Sequence, residues 1–96
     1  MELETEPFDP AEYIRNPDEA ALYLNDAMAS GDPAVVAAAL GTIARAHGTS
    51  RLSKAAGVSR AVLYNGLNPS GNPTLATVMA VMKEMGLKLA VQPAAG

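Results

Sequence analysis

The chain of 96 residues contains no cysteine. A disulfide framework, a thiolate nucleophile and a cysteine-ligated metal are therefore all excluded. It has a single histidine, His47, so a histidine metal cluster cannot be assembled, and no Ser-His-Asp set is recognisable in the sequence. No run approaches the roughly twenty apolar residues that a membrane helix needs, and the N-terminus is acidic where a secretion signal is basic. Aromatic residues make up only 4 % of the chain, and much of its 49 % hydrophobic content is alanine. A small core with close helix–helix approaches follows. The expectation is one soluble, cytoplasmic domain with no catalytic residues, no metal, no cofactor and no small-molecule substrate. His47 is expected at a helix C-terminus, a position where the helix dipole mildly favours a cation.

Acid is also missing from two thirds of the chain. After Asp32 the one acid is Glu84, set against Arg45, Arg51, Lys54, Arg60, Lys83 and Lys88, a balance of +5. Residues 1–32 carry nine acids against Arg15 alone, a balance of −8. Four bases fall between Arg45 and Arg60 with no acid among them, and His47 lies beside them. A chain that is acidic overall can still bind DNA if its positive charge is gathered on one face. The acidic front end has two readings, a solvated arm or a docking surface for a basic protein.

Helix boundaries are marked by caps and glycines. Asn16-Pro-Asp-Glu19 is a helix start with Asn16 as cap, and the helix runs to about Ser30, ended by Gly31. Ala20, Leu24, Ala27 and Met28 form its apolar face. Asp32-Pro33 opens a second helix carrying Val36, Leu40, Ile43 and Ala44, stopped by Gly48 after His47. Thr49 or Ser50 caps a third, Ser59 a fourth, and Thr74 a fifth that reaches Met85 and ends at Gly86. Asn68-Pro-Ser-Gly-Asn-Pro73 is a loop by composition.

The third and fourth helices carry the most specific pattern, Leu52-Ser-Lys-Ala-Ala-Gly57-Val-Ser-Arg-Ala-Val-Leu63-Tyr-Asn-Gly-Leu67. Gly57 stands where the chain turns sharply, and Ser59 restarts a helix directly afterwards. Leu52, Ala56, Val58, Val62, Leu63 and Leu67 supply the apolar face that pins the pair. This spacing predicts a helix-turn-helix whose second helix enters the DNA major groove; the alternative is an ordinary helical hairpin jointed at glycine. Ser53 stands where alanine is more usual but is small enough for the close crossing. Gly66 predicts an early end to the second helix.

Leu87-Lys-Leu-Ala-Val-Gln92 alternates well enough to predict a short strand, closed by Pro93. A lone strand cannot satisfy its backbone inside a helical monomer, so pairing with a second copy is expected. Met82, Met85, Leu87, Leu89 and Val91 are the predicted dimer residues. The methionines of the fifth helix have an equal second reading as core filler.

The order of these segments resembles a family, the addiction-module antidote proteins of bacteria, which are antitoxins with an Xre-type helix-turn-helix. The resemblance rests on Pro7-Phe-Asp-Pro-Ala-Glu-Tyr-Ile14, Tyr23-Leu-Asn-Asp-Ala27, Gly31-Asp-Pro33, Ala38-Ala-Leu-Gly41 and Ile43-Ala-Arg45. It continues through Gly57-Val-Ser-Arg60, Leu63-Tyr64, Gly71-Asn-Pro73 and Gly86-Leu-Lys-Leu89. Departures are Arg51, where the family often has glutamine, Asn65, where it has a basic residue, and Gly66, where it has alanine.

The resemblance implies an all-α, five-helix domain of the Xre and lambda-repressor type with a short C-terminal β-strand. The layout is an acidic arm at 1–15, one domain at 16–92 that includes the strand 87–92, and a tail at 93–96. The implied function is an antitoxin that neutralises a RelE-like mRNA endonuclease by direct binding and represses its own operon as a homodimer on double-stranded promoter DNA. The alternative is a phage-type repressor without a toxin partner. Ser59, Arg60, Ala61, Tyr64 and Asn65 would face the major groove, with Thr49, Ser50, Arg51, Lys54 and Asn72 on the backbone. Tyr64 could instead pack half-buried on the third helix. Phe8, Tyr13 and Tyr23 would anchor the toxin, or else tie the front end to this protein's own core.

Overall fold

Short polar side chains start four of the five long helices by accepting a free backbone N–H. Asn16 takes that of Glu19, Asp32 that of Ala34, Ser59 that of Val62 and Thr74 that of Thr77. The computed structural model describes residues 9–94. The helices are α1 (Pro17–Ala29), α2 (Pro33–His47), α3 (Thr49–Ala56), α4 (Arg60–Gly66) and α5 (Leu75–Glu84). A single 3₁₀ turn, Pro10–Tyr13, precedes them and packs on α2.

The cap expected at Thr49 or Ser50 is not used. Gly48 serves both neighbouring helices: its N–H bonds the Ala44 and Arg45 carbonyls, and its own carbonyl accepts from Leu52 N at 2.9 Å. With the two helices sharing one residue, there is no room for a separate side-chain cap.

The centre of the core is built on α2. Leu40 and Ile43 are fully buried, together with Leu52 of α3 and Val81 of α5. Ala20, Leu24 and Ala27 close it from α1, and Leu63 and Leu67 from α4 and its end. Alanine and glycine permit the close approaches: at Gly41 an added Cβ would run into the Leu67 carbonyl oxygen, so α2 touches the backbone just after α4.

The structure corrects the C-terminal reading. Among the described residues there is no strand, and 87–92 is irregular and joins no ladder. Leu87 N–H is already used, bonding the Met82 carbonyl at 2.8 Å at the end of α5, and the Leu87 side chain leans on the core. The alternation reflects one inward leucine followed by a chain that lies along α1, where it borders Ala21, Leu24 and Met28. Leu89 and Val91 are exposed. Met82 and Met85, predicted at a dimer seam, are buried in this chain's own core. The apolar groups that α5 leaves outside are Leu75 and Met79.

Candidate nucleic-acid interface

The turn between α3 and α4 is held by one side chain. Gly57 adopts the left-handed conformation (φ 69°), and its N–H and that of Val58 both bond the Ser53 carbonyl. The Ser53 hydroxyl closes the loop from the other side, donating to the Val58 carbonyl at 2.5 Å. The residue that departs from the usual alanine thus staples the turn.

This geometry fixes which face of α4 looks outward. Leu63 is buried, and Leu67 after it is buried too. Arg60, Ala61, Tyr64 and Asn65 lie on the opposite side and are all exposed. Val62, expected on the apolar seam, is instead half outside. Ser59 caps α4, accepting from Val62 N–H at 3.1 Å. Its hydroxyl hydrogen remains available to a donor-seeking oxygen.

Arg60 and Tyr64 sit one turn apart, with the guanidinium 6.0 Å from the ring centroid. That lies at the outer limit of a cation–π contact. Arg60 draws the Tyr64 phenol below its ordinary pKa by hydrogen bonding and charge, and the Thr49 hydroxyl adds in the same direction. Tyr64 leaves just over half of its surface open (55 %) and rests the remainder beside the start of α3. It shares a cleft of about 140 Å³ with Arg45, Thr49 and Asn68.

On α3, Ser50, Arg51 and Lys54 are exposed and Thr49 is half-buried. Among the described residues neither Arg51 nor Lys54 forms an ion pair. Arg45 does, with Asp9 at 3.0 Å, and it also reaches the Thr42 hydroxyl. The run of four bases thus presents three uncompensated cations. Arg51, in the first turn of α3, lies near His47 and Glu84 along a second cleft.

Asn72 is placed elsewhere: it lines a groove with Met28, Pro33, Val36 and Val78. Asn68, which sequence reasoning passed over, has the clearer role. Its amide donates to the Tyr64 and Asn65 carbonyls and its oxygen accepts from Ser70 N–H, so it caps the end of α4. Asparagine directly before proline, after a helix, was the available signal.

At the acidic front, Phe8 lies outside the described residues. Tyr13 is exposed on the 3₁₀ turn, and Tyr23 is half-buried, packed against the core from α1. Asp9 and Glu12 are fixed to the body of the fold through that turn.

The described residues are all-helical, with Arg51, Lys54 and Arg60 exposed on α3 and α4. Residues 4–93 match the family model described as "Probable addiction module antidote protein". The chain belongs to that family, whose name denotes an antitoxin. An uncharacterized protein of Haemophilus influenzae is 42 % identical over 92 residues, spanning 96 % of this chain and 95 % of its own length. No solved structure matches the chain. No described helix is long and apolar enough to cross a membrane.

Proposed function

We propose that this antitoxin has two activities: it binds and neutralises a RelE-like mRNA endonuclease, and it represses its own operon by binding promoter DNA. The observation that carries the reading is the match to the antidote family over residues 4–93. The exposed bases Arg51, Lys54 and Arg60 on α3 and α4 support the DNA half.

On DNA, α4 would lie in the major groove. Arg60 has the fork to engage guanine O6 and N7, and Asn65 the amide to pair with adenine N6 and N7. Tyr64 beside Arg60 limits where the guanidinium can swing. Ser59 would donate its free hydroxyl hydrogen to a phosphate. Thr49, Ser50, Arg51 and Lys54 would track the adjoining backbone and set affinity without sequence preference. Asn72 is not part of this proposal, because it faces a different groove.

Repression would need two copies, each reading one half-site. The second copy is proposed to pair through the 87–92 segment, where Leu89 and Val91 remain exposed. Met82, Met85 and Leu87 support that segment from inside the core.

The antitoxin half is tested by co-expression with the product of the adjoining reading frame. Growth arrest by that product should be relieved by this chain. Arrest that persists at matched expression would overturn the reading.

A further inference from the structure

A groove of about 440 Å³ runs between α1 and α2, walled by Tyr23 and Asp26 on one side, Ala34, Val35 and Ala38 on the other, and Pro69 at the end. Its lining is apolar except for Asp26, and no cationic side chain borders it. Val35, in the first turn of α2, is 42 % exposed there. Ala34 and Ala38 leave room for a foreign side chain to approach the α2 backbone.

The surroundings are acidic. Asp18, Leu22 and Asp26 follow one another at four-residue intervals along α1, and all three are exposed, Leu22 by 69 %. Asp32 caps the Ala34 N–H at 2.9 Å, which places a carboxylate at the end of the groove that Ala34 lines. The one base of α1's approach, Arg15, is spent on Glu19 at 3.0 Å. An apolar slot rimmed by carboxylates that no described cation neutralises suits an apolar side chain carried on a basic segment. Such a segment docks by its apolar anchors while its cations steer it.

We infer that the α1–α2 groove is the toxin-docking surface, receiving one large apolar side chain of a segment whose flanks are lysine or arginine. This rests on the antitoxin reading above, and it moves the main anchor from Phe8 and Tyr13 to Tyr23 and Val35. None of the proposed DNA contacts lines the groove, so the two surfaces share no residue.

The test uses the full chain and the tagged product of the adjoining reading frame as probe. Val35→Lys fills the slot with a charge, and Asp26→Lys reverses the rim at an exposed site that leaves the core intact. Both should lower retention of the probe about tenfold or more, equivalent to roughly 1.4 kcal/mol, with promoter binding unchanged. Should Val35→Lys fail to fold, Asp26→Lys decides alone. Wild-type retention by the folded variants overturns the groove but leaves the antitoxin reading standing. A wild-type chain that does not retain the probe overturns both. If Val35→Lys instead converts a homodimer to monomers, the slot belongs to a second copy and the proposal is wrong.

Discussion

The Ser53 hydroxyl and the Val58 carbonyl meet across the α3–α4 turn at 2.5 Å, with Gly57 in the left-handed conformation between them. The orientation of α4, and hence of its outward face, depends on that turn. Ser53→Ala deletes the donor and leaves a half-buried carbonyl without it, at a cost of about 1 kcal/mol. Gly57→Ala meets no atomic clash but forces a Cβ into the left-handed region, again at roughly 1 kcal/mol. Thermal denaturation of the two variants should show similar modest losses. A larger penalty at Gly57 than at any buried leucine would contradict this view of the turn.

Gly41 is the tighter constraint. A methyl there would collide with the Leu67 carbonyl, which is backbone and cannot swing aside. Gly41→Ala should therefore cost about 1–3 kcal/mol, as overpacking does, and should displace the end of α4. A lowered melting temperature with weakened promoter binding is expected; an unchanged melting temperature would show that α2 and α4 are not locked together at this point.

Asp9 is held below the ordinary carboxylate range by a hydrogen bond from the Arg45 side chain, then by the Ala11 N–H. Glu19 is lowered likewise by the Arg15 side chain, then by its backbone N–H. Both carboxyls bind protons more weakly folded than unfolded. Their stabilisation is therefore present above the ordinary carboxylate pKa and is lost as pH falls through the folded values. Melting temperature followed from about pH 6 to roughly pH 2.5 should fall on the acid side. Asp9→Asn should melt below wild type at the upper end, and the gap should close at the lower end. A gap that stayed constant across the range would remove the Asp9–Arg45 pair as its cause.

Much of this architecture could be read from local chemistry. Asn16, Asp32, Ser59 and Thr74 cap helices because each short polar side chain precedes a helical apolar pattern, and Gly31, Gly57 and Gly86 end them. What failed depends on contacts distant in sequence. The strand at 87–92 was inferred from alternation, but a strand is made by its partner, and Leu87 is committed to the end of α5. Met82 and Met85 share the side of α5 that carries Val81, and only the packing of α3 against α5 shows that this side is the inner one. The Asp9–Arg45 pair joins residues on separate elements, so composition gave Arg45 to the DNA face while the fold partly neutralises it. The outward set Arg60, Ala61, Tyr64 and Asn65 was readable because Leu63 and Leu67 fix the inward side at helical spacing.

The proposed dimer has its own check. Val91 is 99 % exposed, so Val91→Lys should leave the fold intact while weakening association through 87–92. Sedimentation should show wild type as a dimer at micromolar concentration and the variant shifted toward monomer. A wild-type chain that sediments as a well-folded monomer at high micromolar concentration would remove the dimer from the account.

The central claim is that α4 reads DNA through Arg60 while α3 holds the backbone. Quantitative binding to the chain's own promoter, compared with a scrambled duplex at two salt concentrations, tests it most directly. Arg60→Ala should lose about 1–3 kcal/mol at the promoter and little on scrambled DNA, narrowing the preference between them. Lys54→Ala should weaken both duplexes alike and reduce the salt dependence by about one ion. An Arg60→Ala protein that binds its promoter as tightly and as selectively as wild type would contradict the claim.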